Sequence, residues 1–393
     1  SAASDVYKRQ NLKSVNFRRH NFYKIPIEKR AMSKLRYAIL GSGMMGHEHI
    51  RNIHLLEETE VSAVSDPDEG MREKAVSLTD GRAKAFTDHR DLLASGIADV
   101  LVIASPNHTH VDLLPDALCS GLPILVEKPL CTTVPDCEAM VELAKGRSAP
   151  VWVAMEYRYM PPVNLLVQSL KEGKIGAMKM LSITEHRFPF LEKVGDWNRF
   201  SKNSGGTLVE KCCHFFDLMR LLTQSEPVQV YASGGIAVNH LDERYDGKTP
   251  DILDHAIVTV DFENGVRGLL ELCMFSEGSY FQEEIAIIGD QAKFEARVPG
   301  PSRFWPGNQE REAEVTFSPR EPKGPETQTV EVDATHLAAG DHHGSTFYQH
   351  QKFLDAIRLG TPVEVTLEDG LEAVRIGAAA EESVQTRMPV KLN

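Results

Sequence analysis

The chain has 393 residues, a formal charge of −13, 42% hydrophobic and 25% charged residues. That is the composition of a globular chain long enough for two domains and a sizeable core. The acidic balance argues against a nucleic-acid partner and against adsorption to an anionic membrane, and no apolar run reaches spanning length.

Residues 1–31 are basic and lack a sustained period. They read as a non-native or disordered leader, with Met32-Ser33-Lys34 as a start just ahead of the first strand. Asp5 to Gln10 resembles the translation of a sequencing-library adapter; an organelle presequence is the rival reading.

From Leu35 to about Ala154 apolar strand candidates at 35–40, 61–65, 98–104, 123–126 and 151–154 alternate with helical stretches. Alternation of this kind predicts a doubly wound parallel sheet, the Rossmann arrangement, covered on both faces. The first strand runs into Gly41-Ser42-Gly43-Met44-Met45-Gly46, and Asp66 ends the second strand twenty residues beyond Gly46. A strand, G-x-G-x-x-G and a helix offer backbone N–H groups to a pyrophosphate. The carboxylate of Asp66 suits a ribose diol and repels a 2′-phosphate, so NAD is favoured over NADP.

Glu127-Lys128-Pro129 follows the strand at 123–126, at the carboxyl edge where ligands of such sheets bind. The proline restricts Lys128 and aims its side chain, and the peptide is open to a cis form.

After Pro161-Pro162 the texture changes. A helix over 163–172 leads to a strand near 179–184, a polar stretch with Trp197, and a helix from Thr207. Strands follow at 228–233, 255–262, 265–273 and 283–288, with Asn264-Gly265 as a hairpin turn. This predicts a C-terminal α+β domain whose mostly antiparallel sheet leaves one face open. Domain spans of 32–155 and 156–393 follow. An open apolar sheet face predicts a homodimer or homotetramer. Residues 299–328 read as a surface loop with at most one short strand, and helices near 345–359, capped by Ser345 and closed by Gly360, and 368–385 end the chain.

Glu210 and His214 are four residues apart on one helical face. Thr207-x-x-Glu210 also has the form of a capping box, so Glu210 has a structural alternative. The six cysteines form no C-x-x-C pair, which predicts free thiols in a reducing, cytoplasmic setting. His47-Glu48-His49, His108-x-His110 and His342-His343 lack H-E-x-x-H spacing, so no catalytic metal is expected. His343 is left undecided at the edge of the cleft.

The glycine loop, Ser105-Pro106-Asn107-His108-Thr109-His110, Glu127-Lys128-Pro129 and the stretch from Gly205-Gly206 to His214 and Asp217 resemble, in order and spacing, the Gfo/Idh/MocA family of NAD(P)-dependent sugar and cyclitol oxidoreductases. The resemblance implies Lys128 and His214 as catalytic residues, with Glu210 where the family often has aspartate. It implies that Ser105, Asn107, His110, Glu127 and Lys128 line the cofactor beside the glycine loop and Asp66. Arg158 matches a common arginine entering the second domain, and Tyr157, Arg158, Tyr159 and Trp197 are candidates for contact with a sugar, polyol or cyclitol. The expected chemistry is hydride transfer at a secondary alcohol or ketone, His214 serving as acid/base and Lys128 as cation. Two alternatives stay open: a glycoside hydrolase using transient oxidation, and a cofactor-sensing regulator without catalysis.

Overall fold

The computed structural model describes residues 34–392; the expected leader and Met32 lie outside the described residues. Six strands, β1 (Leu35–Leu40), β2 (Thr59–Ser65), β3 (Lys84–Phe86), β4 (Val100–Ile103), β5 (Ile124–Val126) and β6 (Val151–Val153), form the first sheet. Between them run α1 (Met44–His54), α2 (Glu69–Leu78), α3 (His89–Ala94), α4 (His110–Cys119) and α5 (Val134–Ala144). All pairings are parallel in the order β3-β2-β1-β4-β5-β6. The unbroken apolar runs of β4, β5 and the Tyr37–Leu40 part of β1 are buried because helices cover both faces. Strand order reverses between β1 and β4, which opens a ligand crevice beyond their carboxyl ends. Edge strand β3 escaped the sequence reading; it has three residues and no apolar period.

The second half contains α6 (Pro161–Lys171), β7 (Met178–His186), three short helices α7 (Ser201–Ser204), α8 (Thr207–Glu210) and α9 (Cys213–Thr223), then β8 (Pro227–Gly235), β9 (His255–Phe262), β10 (Arg267–Cys273), β11 (Glu283–Gly289), β12 (Ala292–Val298), β13 (Ala313–Pro319) and β14 (Glu326–Val330). The chain ends with α10 (Ala334–Ala339), α11 (Ser345–Leu359), α12 (Leu367–Thr386) and β15 (Val390–Lys391). The nine strands lie in the order β14-β13-β12-β11-β7-β10-β9-β8-β15, antiparallel except where β7 meets β10. Asn264-Gly265 makes the expected turn between β9 and β10, with φ 83° at Gly265.

Two expectations are corrected. The stretch 299–328 holds all of β13 and the start of β14. Ala313 and Val315 alternate into the core there, a period hidden by the surrounding proline, glycine and charge. Ser345 does not cap α11: Gly344 holds that position at φ 77° with no side-chain cap, while Gly360 closes the helix at φ 69°.

The last helices return to the first sheet. Phe353, Val365, Leu371 and Val374 join its core, and Val153 N–H donates to the Val365 carbonyl at 3.1 Å. The two sheets are thereby tied together next to β6, beside the carboxyl edge of β5 from which Lys128 projects.

Candidate active site

Two glycines of the loop after β1 have a steric reason, and the third borders open space. A Cβ on Gly41 (φ 94°) would fall 2.4 Å from Ser105 N, and one on Gly46 2.3 Å from the Gly41 carbonyl oxygen. At Gly43 a Cβ would meet nothing within 4 Å, so the backbone there faces open space. Helix α1 starts at Met44 with no side-chain cap and no acid in its first turn. Its leading N–H groups therefore suit the pyrophosphate of a dinucleotide. Met44 is exposed and Met45 half-buried as the helix begins. Buried Ser42 donates its N–H to Asp66 Oδ2 at 2.7 Å, which fixes the carboxylate at the edge of the loop.

Past β4, Ser105 Oγ accepts from Thr109 Oγ1 at 2.8 Å, and Asn107 Nδ2 reaches the Ser204 carbonyl at 3.4 Å. His110 is fully buried, with Nδ1 2.9 Å from the Pro129 carbonyl and Nε2 3.2 Å from that of Ser105. It straps the two loops together and has no free ring nitrogen to offer a ligand.

The Lys128–Pro129 peptide is cis. Lys128 Nζ donates to the Glu210 carbonyl at 3.2 Å, bringing a group from the first sheet to the helix that leads to His214. Burial disfavours this ammonium, yet Cys213 and the carboxylates Glu127, Glu210 and Glu156 outweigh burial and raise its pKa. Glu127 is buried; its Oε1 lies 2.9 Å from His49 Nε2, whose Nδ1 is 2.8 Å from His350 Nε2. Burial pushes the Glu127 pKa up, but the hydrogen bond and charge of His49, then Lys128, outweigh it and hold Glu127 below the usual carboxylate value.

His214, 1% exposed, stacks on Tyr157 with ring centroids 4.2 Å apart. Burial, then Lys128, Lys211 and His342, push its pKa well below 6.5. Its Nε2 lies 3.7 Å from Glu156 Oε1. Residues 35–155 match the family profile described as the oxidoreductase-family NAD-binding Rossmann fold, and residues 167–392 match that family's C-terminal alpha/beta domain.

The chain belongs to the Gfo/Idh/MocA oxidoreductase family.

It is 25% identical to the myo-inositol 2-dehydrogenase of Thermotoga maritima, over 91% of this chain and 98% of that one. It is 26% identical to the scyllo-inositol 2-dehydrogenase (NAD(+)) of Bacillus subtilis, over 92% of this chain and 97% of that one. A levoglucosan dehydrogenase solved with NADH and levoglucosan has the same fold, with a TM-score of 0.75 at 20% identity over 91% of this chain and 99% of that one. This family member is thus an NAD-binding oxidoreductase. Among the described residues no helix is long and apolar enough to cross a membrane, and no group of three or more His, Cys, Asp or Glu is placed to hold a metal ion.

Three expectations about individual side chains change. The capping box at Thr207 does not form, because Gly206 at φ 91° occupies the cap position and Thr207 Oγ1 donates to the Leu253 carbonyl at 2.7 Å. Glu210 instead turns Oε1 to Lys193 Nζ at 3.4 Å, and its Oε2 has no hydrogen-bond partner among the described residues. Arg158 is a buried strut: Nε donates to Asp217 Oδ2 at 2.5 Å, a second nitrogen to Asp217 Oδ1, and a third to the Glu364 carbonyl at 2.6 Å. Tyr157 accepts from Lys211 Nζ at 2.6 Å and serves as the floor beneath His214. Of the expected substrate contacts, Trp197 alone keeps a partly open flat surface, with Lys193 Nζ 4.5 Å above its ring.

Lys193, Glu156 and His342 also stand in the site, and sequence reasoning passed over all three. Glu156 precedes the aromatic pair that drew attention, and His342 was weighed for metal binding only. His342 Nδ1 is 2.8 Å from Glu48 Oε1, in the helix that the glycine loop begins.

Proposed function

We propose that the protein is an NAD-dependent dehydrogenase or reductase acting on a secondary alcohol or ketone of a sugar, sugar acid or cyclitol. The observation that carries this reading is Lys128 reaching the Glu210 carbonyl, four residues before His214. NAD, when bound, supplies the hydride acceptor. His214 takes the hydroxyl proton, and the Lys128 ammonium holds the hydroxyl oxygen and offsets its growing negative charge. Glu210 keeps Lys193 at the rim, and Trp197 offers a flat wall to a sugar or cyclitol ring. Asp66 supports NAD over NADP, since a fixed carboxylate beside the loop repels a 2′-phosphate. The cyclitol and anhydrosugar substrates named for its relatives support the substrate class.

A screen for NADH formation over inositols, aldoses and sugar acids tests this. His214→Ala and Lys128→Met should each lower kcat by roughly 100-fold with NADH affinity nearly unchanged. Full activity in His214→Ala, or tighter binding of NADPH than NADH, would refute the corresponding part. Product formed without net NADH would transfer the reading to a hydrolase with transient oxidation.

The second sheet supports a homodimer or homotetramer. Helices cover one face, while Met180, Tyr231, Ile257 and Leu269 stand exposed on the other. Ile257→Asp should shift sedimentation toward the monomer; a wild-type monomer would end that idea. All six cysteines are free, which supports a reducing, cytoplasmic setting.

A further inference from the structure

Behind His214 lies a carboxylate that the chemistry above leaves without a task. Glu156 opens a short 3-10 turn, Glu156–Tyr159, and is 1% exposed. Neither of its oxygens has a hydrogen-bond partner among the described residues. A buried carboxylate without a hydrogen bond is costly, so its presence calls for a reason. Oε1 lies 3.7 Å from His214 Nε2 and 3.8 Å from His342 Nε2. The charged and titratable groups around it come from separate segments: Glu127 and Lys128 after β5, Cys213 and His214 on α9, Tyr157 in its own turn, and His342 ahead of α11.

We propose that Glu156 is the acidic partner of His214, a positioning residue that stabilises the imidazolium formed on removal of the substrate's hydroxyl proton, and that His342, fixed on Glu48, is the cation that keeps Glu156 ionised. The proposal rests on His214 being the proton acceptor. The step moves one proton and no electrons: the substrate O–H bond breaks and an N–H bond forms on the imidazole. Glu156 Oε1 then faces the Nε2 side of the ring as its counter-charge, as a buried carboxylate does in a His–carboxylate pair.

His214, desolvated and close to Lys128 and Lys211, is too weak a base alone and needs a nearby negative charge. Burial and then Glu127 push Glu156 up to about 7, while His342 and Lys128 pull it back. Burial opposes charge on His342, but Glu48 and then Glu156 outweigh it and raise it to about 9. Glu48 in turn is held at about 2, because His342 and Thr346 overcome burial. At neutral pH His342 is therefore a cation, and losing its charge must raise Glu156 further.

The test is the pH dependence of kcat in the NAD-loaded enzyme, alongside infrared titration of buried carboxyl groups with and without NADH. Wild-type kcat should fall as pH drops through about 7, where Glu156 becomes neutral. His342→Gln should move that limb upward by roughly one unit or more. Glu156→Gln should lower kcat about tenfold or more, erase the limb, and remove one protonated-carboxyl band that titrates near pH 7, with melting temperature and NADH affinity retained. If Glu156→Gln does not fold, Glu156→Asp carries the test: its shorter carboxylate should displace the limb and lower kcat. Wild-type kcat and an unmoved limb in the Gln variant, or in the Asp variant where only that one folds, overturn the pairing alone. A wild-type enzyme inactive on every polyol, aldose and cyclitol overturns the dehydrogenase reading instead, while the band assigned to Glu156 still reports its ionisation.

Discussion

Under the proposed function, the glycine loop and the junction around His214 would do related work by opposite means. The loop is one run of six residues plus Asp66, and its working surface is backbone N–H and the space above Gly43. The junction gathers Glu48, Lys128, Glu156, Glu210, His214 and His342, and works through buried ionisable side chains. One of its links, His342 to Glu48, spans 294 residues of sequence. Backbone recognition needs spacing, which is local. Proton chemistry needs charges whose values are set by one another, and those partners can come from anywhere in the chain.

The largest effect that would sharpen this contrast is at Arg158, whose guanidinium is committed to Asp217 and the Glu364 carbonyl. Arg158→Ala leaves a fully buried Asp217 without its counter-charge, a loss of about 3–5 kcal/mol. The melting temperature should drop by roughly 5 °C, with KM little changed in the protein that stays folded. Intact stability with a raised KM would return Arg158 to the substrate.

Gly46→Ala attacks the other region. Its Cβ would sit 2.3 Å from the Gly41 carbonyl oxygen, so helix and loop must part. Overpacking of this kind costs about 1–3 kcal/mol, or roughly five- to 150-fold in NADH affinity if the strain falls on the loop. Calorimetric titration measures it, and kcat at saturating NAD should stay near wild type because Lys128, Glu156 and His214 lie in other segments. A large fall in kcat at saturation would mean that α1, through Glu48, transmits loop geometry to His342.

The same contrast explains what could be read ahead of the structure. The bounds of β1, the glycine loop, the Asn264-Gly265 turn and the positions of Lys128 and His214 all lie in local pattern or motif. Glu156 does not, because a short 3-10 turn has neither of the two periods that tell which way a side chain points. His342 drew notice only as half of a histidine pair, since Glu48 stands at the far end of the chain. The capping box at Thr207 failed in a different way. Its local pattern is complete, but Gly206 at φ 91° and the break between α8 and α9 gave Glu210 another direction. Strand β13 turns Ala313 and Val315 inward and was hidden by neighbouring proline and charge, while β14 has no alternation to read, being exposed up to Val330.

Glu381, on α12, crosses the two categories and gives the smallest expected effect. It is an acid at the junction, yet its visible job is of the loop's kind: Oε1 accepts the Leu208 N–H at 2.9 Å near the start of α8. Burial pushes its pKa from 4.5 up to about 7, with the Leu208 hydrogen bond opposing. The folded state therefore holds the proton more tightly than the unfolded chain. Stability from that proton is complete below about 4.5 and is lost as pH rises through about 7. Glutamine imitates the protonated acid at every pH and keeps an oxygen for Leu208. Glu381→Gln should thus match wild type below pH 4.5, gain between 4.5 and 7, and hold a constant advantage above 7. Allowing for its partial exposure, the gain is about 1 kcal/mol, or roughly 1–2 °C in melting temperature at pH 8 for a chain of this length. If the melting temperature does not respond while kcat falls, Glu381 belongs with Glu156 and His342 among the charges that govern the proton, and the boundary between the two kinds of site lies further from His214.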